Sequence, residues 1–210
     1  MSIHSHLTSR LLSFVLAFIL FVGCTTTAVL ASGNVTDFSN EVFSIRNGIT
    51  YQMTEREIMK RETATFFEKQ SGNRLSYKGT MEGFRDAQLW YTLDEENKLY
   101  ELRYRLDMNS YNMKPDASYQ KVYLSLLQKY GSPFYSFADG EFLPIRSSAV
   151  DYKIKNYSEW LIRYQDCYVV VDLVCTYSTI VSHYFVFLGY RMLNQEECSQ
   201  IVDYLNTANP

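Results

Sequence analysis

The sequence predicts an α+β fold: two tandem α-β-β-β units forming antiparallel sheet, helices packed on one face, and a C-terminal helix. Three observations carry this. Residues 98–107 alternate with period two, Tyr100, Leu102, Tyr104 and Leu106 pointing one way and Glu101, Arg103 and Arg105 the other. Capping boxes at Thr54-Glu55-Arg56-Glu57 and Asn194-Gln195-Glu196-Glu197 open two helices, each side chain able to satisfy the other's backbone amide. The order of elements also repeats along the chain, with a period of roughly 70 residues.

The first unit spans 42–113. Val42-Phe43-Ser44-Ile45 is extended and ends at the turn Arg46-Asn47-Gly48. Ile49 to Met53 leads to the first capping box, and the helix is expected over 55–70, stopping at Ser71-Gly72. Strands follow at 74–81, 87–93 and 98–107, the last two joined by the hairpin turn Asp94-Glu95-Glu96-Asn97.

The second unit spans 114–210. Asp116 caps a helix over 117–130 whose apolar stripe is Tyr119, Val122, Tyr123, Leu126, Leu127 and Tyr130. Gly131 and Pro133 end it. A long loop is expected over 134–157, then strands at 159–165, 168–177 and 181–192. The second capping box opens a final helix that runs to about residue 206.

Ahead of both units stands a leader. Arg10 precedes the uncharged, apolar stretch Leu11 to Gly23, which is shorter than the roughly 20 residues of a comfortable membrane span. A weakly basic start, a short apolar centre and small residues at the exit make an export signal. Two fates compete. Cleavage after Val29-Leu30-Ala31 gives a signal peptide of 1–31 and a soluble protein from Ser32. Alternatively Phe21-Val22-Gly23-Cys24 acts as a lipobox, making 1–23 a lipoprotein signal and Cys24 the lipidated first residue. Residues 32–41 read as a polar linker. The protein is therefore expected outside the cytoplasm, secreted or anchored at the cell surface.

Composition narrows the function classes. Hydrophobic residues make up 47% of the chain and charged ones 20%, enough apolar material for a core and against disorder. The net charge of −3 leaves no excess of cations to displace counterions from a phosphate backbone, which argues against nucleic acid. The 18 tyrosines all follow the leader, fitting a β-rich core of half-buried rings or a recognition surface. Beyond Cys24, the cysteines are Cys167, Cys175 and Cys198; one bridge can form, and the sequence does not choose its partners. No C-x-x-C pair, calcium loop, glycine-rich phosphate loop or nucleophile motif is present, so no cofactor, metal or catalytic residue is expected.

The lead Ile45-Arg46-Asn47-Gly48-Ile49-Thr50-Tyr51-Gln52-Met53-Thr54, followed by Glu57-Ile58, resembles the opening of small exported bacterial proteins of the BamE/SmpA-like and β-lactamase-inhibitor-protein-like group. Lys129-Tyr130-Gly131-Ser132-Pro133 resembles the helix end of a second unit in that group. The resemblance implies a helical layer on antiparallel sheet, a tandem arrangement like that of the inhibitor protein, and binding to other proteins in the envelope or outside the cell. The chain departs from the inhibitor protein in its cysteines: that protein bridges each repeat, whereas the first unit here has none.

The expected binding residues lie on the outer sheet face. If Leu89 and Tyr91 join the core, Trp90 faces out beside Arg103 and Arg105, the residue types of binding hot spots. In the second unit Phe185 and Phe187 share a face with His183 and Arg191, a face either covered, as by the last helix, or open to a partner. The reading is an exported, non-enzymatic protein that binds another protein or an envelope component through its sheet. An enzyme working in the 134–157 loop and a structural envelope lipoprotein are the alternatives.

Overall fold

The computed structural model describes residues 35–39, 42–70, 73–111, 114–147 and 150–208. The expected leader, Cys24 and both candidate cleavage sites lie outside the described residues. Among the described residues the chain is α+β, with three α-helices and a nine-stranded, mostly antiparallel mixed sheet.

The lead turns on Asn47 and Gly48, both at positive φ (51° and 72°), as a two-residue hairpin requires. Ile45 and Ile49 on either side are buried. Helix α1 (Glu55–Arg61) opens on the expected capping box, with the Thr54 amide donating to Glu57 Oε2 at 2.8 Å. It ends nine residues earlier than 55–70 predicts. Glu62 turns extended, and its side chain is drawn into the core instead of lining a helix. The Arg46 Nε donates to it at 2.9 Å, the Ala64 amide at 2.7 Å, and the Tyr91 hydroxyl closes the set. The aromatic run that follows suits a pleated surface, and Thr65–Gln70 is strand β2.

Strands β3 (Arg74–Met81), β4 (Phe84–Leu93) and β5 (Leu99–Asp107) complete a four-stranded meander. The β4–β5 turn is the expected one: Asp94 Oδ1 accepts from the amides of Glu96 and Lys98, and Asn97 takes positive φ. Helix α2 (Pro115–Tyr130) buries Tyr119, Val122, Leu126 and Tyr130, four of the six stripe residues. Asp116 lies inside its first turn rather than at its cap and binds Lys155 at 2.7 Å.

The expected loop 134–157 is instead two long strands. Strand β6 (Tyr135–Ser147) pairs with β7 (Val150–Tyr164), with a register shift between Ala138 and Leu143. Gly140 and Pro144 read as loop punctuation, yet an edge strand with a bulge tolerates both. Strands β8 (Cys167–Ser178) and β9 (His183–Met192) follow, then helix α3 (Gln195–Ala208). Each of α1 and α2 therefore precedes four strands, not three. Strand β1 (Val35–Asp37), within the expected linker, pairs in parallel with β7.

Strands β5 and β9 join the two meanders antiparallel, from Glu101 opposite Arg191 to Asp107 opposite Phe185. One face of the sheet carries the main core. Leu89, Tyr91, Leu102, Tyr104, Leu188 and Trp160 cluster there with Ile58 of α1 and Val122 and Leu126 of α2. Among the described residues eight tyrosines are buried, Tyr51, Tyr77, Tyr91, Tyr104, Tyr119, Tyr130, Tyr164 and Tyr190, so a large share of them is core material. The helices are not all on this face. Cys198, Ile201 and Leu205 of α3 pack with Leu161 and Val170, which alternate with the core-facing Trp160 and Val171. Helix α3 thus covers part of the opposite face, and a Cys167–Cys198 disulfide ties it to the start of β8. Cys175 is free and buried.

Candidate functional site: the outer face of the sheet

The face opposite α1 and α2 is built by alternation. Because Leu89, Tyr91, Leu102 and Tyr104 are buried, their neighbours Trp90, Arg103 and Arg105 point away from the core. Register then lines residues up across five strands. Trp90 lies opposite Arg103, Arg103 opposite Gly189, Gly189 opposite Asp172, and Asp172 opposite Glu159. The next row holds Gln88, Arg105, Phe187, Val174 and Tyr157.

Trp90 is held between two guanidinium groups. Arg74 of β3 lies 5.9 Å from its ring centre and Arg105 of β5 lies 5.5 Å from it. Each such contact contributes about 0.5–1 kcal/mol at a partly exposed site. Arg105 also sits 5.2 Å over Phe185, which lies 6.1 Å from Phe187 and 6.2 Å from His183. The five residues marked out by the sequence, Trp90, Arg103, Arg105, Phe185 and Phe187, therefore form one continuous patch across β4, β5 and β9. Their exposure is uneven. Trp90, Arg105 and Phe187 are half-buried, whereas Phe185 is buried and supports Arg105 from below.

Arg103 is the hinge between this patch and a buried polar cluster. Its Nη2 lies 3.0 Å from Glu101 Oε1 and 3.6 Å from Asp172 Oδ1, and the Asp172 carboxylate raises its pKa above the usual arginine value. Beyond Asp172 is Glu159, 8% exposed, which accepts from the Tyr157 hydroxyl. Burial pushes the Glu159 carboxyl up to about 7; Asp172 adds to the rise, while Tyr157 and Arg191 oppose it. Arg191 Nη1 itself donates to both carboxylate oxygens of Glu197, at 2.8 and 2.9 Å. Glu197 also accepts from the Asn194 amide at 2.8 Å, so the capping box of α3 is wired into this face.

Sequence reasoning missed Glu159, Asp172, Gly189 and Arg74. Their signals were present: Asp172 interrupts the apolar run 169–175, and Gly189 breaks an aromatic strand where a close approach is needed. His183, the one histidine among the described residues, faces Asp107 at 3.4 Å and lines the edge of the patch. Among the described residues no three His, Cys, Asp or Glu side chains gather as a metal site, and no helix is long and apolar enough to cross a membrane. The arrangement can stack on flat groups through Trp90 and pair with anions through its arginines. A comparison with known proteins finds no matching family model, no matching curated protein and no matching solved structure.

Proposed function

We propose that this is an exported, non-enzymatic protein that binds another protein or an envelope component through the sheet face of Trp90, Arg103 and Arg105. The observation that carries the reading is Trp90, half-exposed and clasped by Arg74 and Arg105 on the face away from α1 and α2. An aromatic ring flanked by arginines is the composition of a binding hot spot, where truncation costs about 2 kcal/mol or more. Two further features support it. The Cys167–Cys198 bridge suits an oxidising compartment, in keeping with the export leader. The two meanders meet at β5 and β9, in keeping with the tandem arrangement implied by the resemblance to the inhibitor-protein group. Contact with a membrane comes only through lipidation of Cys24.

The test is capture of partners from the host's own envelope fraction, read by mass spectrometry, with wild type and Trp90→Ala side by side. A partner retained by wild type and lost by a folded Trp90→Ala supports the reading. Equal capture by both removes this face from the function. Mass spectrometry of the mature N-terminus distinguishes a chain starting at Ser32 from a lipidated Cys24.

A further inference from the structure

We infer that the partner segment seated on Trp90 is acidic: an extended stretch of a protein with Asp or Glu on both sides of an apolar residue. This rests on the proposed binding face and specifies its ligand.

The argument begins with charge. The chain carries a net charge of −3, yet strands β3 to β5 turn four cations, Arg74, Lys78, Arg103 and Arg105, to this face. Most of the local charge is already paired. Arg103 is held by Glu101 and Asp172, Lys78 by Asp86 at 3.4 Å, and Arg191 by Glu197, while Asp107 faces His183 at 3.4 Å, a contact that pairs its charge only when the imidazole is protonated. Glu68, opposite Ser76 on β2, also faces this way. Among the described residues no ion pair joins Arg74 or Arg105 to Asp86, Glu101, Asp107, Asp172 or Glu197. Those two guanidinium groups lean on the Trp90 ring and keep their forks of N–H donors for another acceptor.

Geometry defines what fits. Arg74 stands on β3 opposite Thr92 and Arg105 on β5 opposite Gln88, two residues to either side of Trp90 along β4, so their backbones lie diagonally across the ring and about 16 Å apart. Along an extended peptide, side chains on one face recur about every 7 Å. A residue over Trp90 with acidic neighbours before and after it on that face brings one carboxylate to each arginine. Planar, bidentate pairing of guanidinium with carboxylate then adds direction to the attraction. The aromatic ring excludes water between the two pairs, which strengthens both.

The test selects ligands without assuming their charge. The full chain is expressed with its own leader, and the exported protein is purified and used to select from a random dodecapeptide library displayed on phage. The selected peptides are synthesised and titrated by fluorescence anisotropy against wild type, Trp90→Ala, Arg74→Gln/Arg105→Gln and Arg103→Gln, each checked for a cooperative thermal unfolding transition above the assay temperature. Vesicles of phosphatidylglycerol are titrated in parallel. Peptides enriched in Asp and Glu, weakened about tenfold or more by the Arg74→Gln/Arg105→Gln pair and by added salt, support the inference. Neutral or basic peptides lost with Trp90→Ala overturn the acidic ligand while the binding face stands. Peptides indifferent to Trp90→Ala and to both arginine changes overturn the face itself. Arginine-dependent binding to vesicles without acidic peptides, or no selected peptide at all, also overturns the inference.

Discussion

The carboxylate of Asp172 occupies the volume that a side chain at Gly189, its cross-strand partner, would fill. An ideal Cβ at Gly189 would stand 2.3 Å from Asp172 Oδ1 and 2.9 Å from its Cγ. The glycine thus lets Asp172 lean across β9 toward Arg103, 3.6 Å away, and couples the polar cluster of the second meander to the patch on the first.

Gly189→Ala must therefore displace the Asp172 carboxylate. The overpacking costs about 1–3 kcal/mol, measured as a drop in unfolding free energy by urea titration. Adding Asp172→Ala to Gly189→Ala should relieve the clash, so the double variant is less destabilised than the two single effects sum to. Simple additivity would show that Asp172 does not occupy that space.

Glu159 predicts a pH effect of unusual sign. Its carboxyl is raised from 4.5 to about 7 by burial, with Asp172 adding to the rise and Tyr157 and Arg191 opposing it. The native state therefore holds a proton that the unfolded chain has already released. Stability from this group is fully present below pH 4.5 and is lost as pH rises through about 7, by about 3 kcal/mol in all. Glu159→Gln should flatten this dependence and make the protein more stable than wild type at pH 8. Thermal melts from pH 4 to 8 read both effects, and a wild type whose stability does not fall across that window contradicts the assignment.

Glu62 titrates in the opposite sense. Burial pushes its carboxyl up, but hydrogen bonds from Tyr91, the Ala64 amide and Arg46 outweigh this and hold it below the ordinary value of 4.5. Its contribution is present above pH 4.5 and is lost as pH falls through the depressed folded value. Its side chain is 0% exposed and that of Arg46 only 14%, so Glu62→Ala leaves a largely buried guanidinium unpaired. A loss of about 3–5 kcal/mol is expected by denaturant titration. A change under about 1 kcal/mol would mean that the network does not fix the lead to the sheet.

Much of this was legible where local signals and tertiary structure agree. The alternation of Leu102 and Tyr104 with Arg103 and Arg105 fixed which face is wet, and both capping boxes marked true helix starts. Failures came where distant contacts decide. Nothing local to Glu62 announces that Arg46 and Tyr91 will pull it out of a helix. Gly140 and Pro144 carry turn propensity, and only pairing with β7 makes their segment a strand. That α3 crosses to the outer face follows from the Cys167–Cys198 bridge, whose partners the spacing of three cysteines could not select. The polar cluster was missed for a related reason: Glu159, Asp172 and Gly189 become neighbours only once β7, β8 and β9 take their register.

The central claim is that the face of Trp90 binds a partner, and the direct measurement is the affinity of the captured partner for wild type and for Trp90→Ala, by isothermal titration. Trp90 is half-buried and outside the main core, so the variant should still fold, with its thermal midpoint lowered by several degrees for the loss of about 1–2 kcal/mol from the two arginine contacts. The dissociation constant should rise about 30-fold, equivalent to about 2 kcal/mol. An unchanged dissociation constant in a folded variant, or a variant that unfolds because the ring is core, would contradict the account.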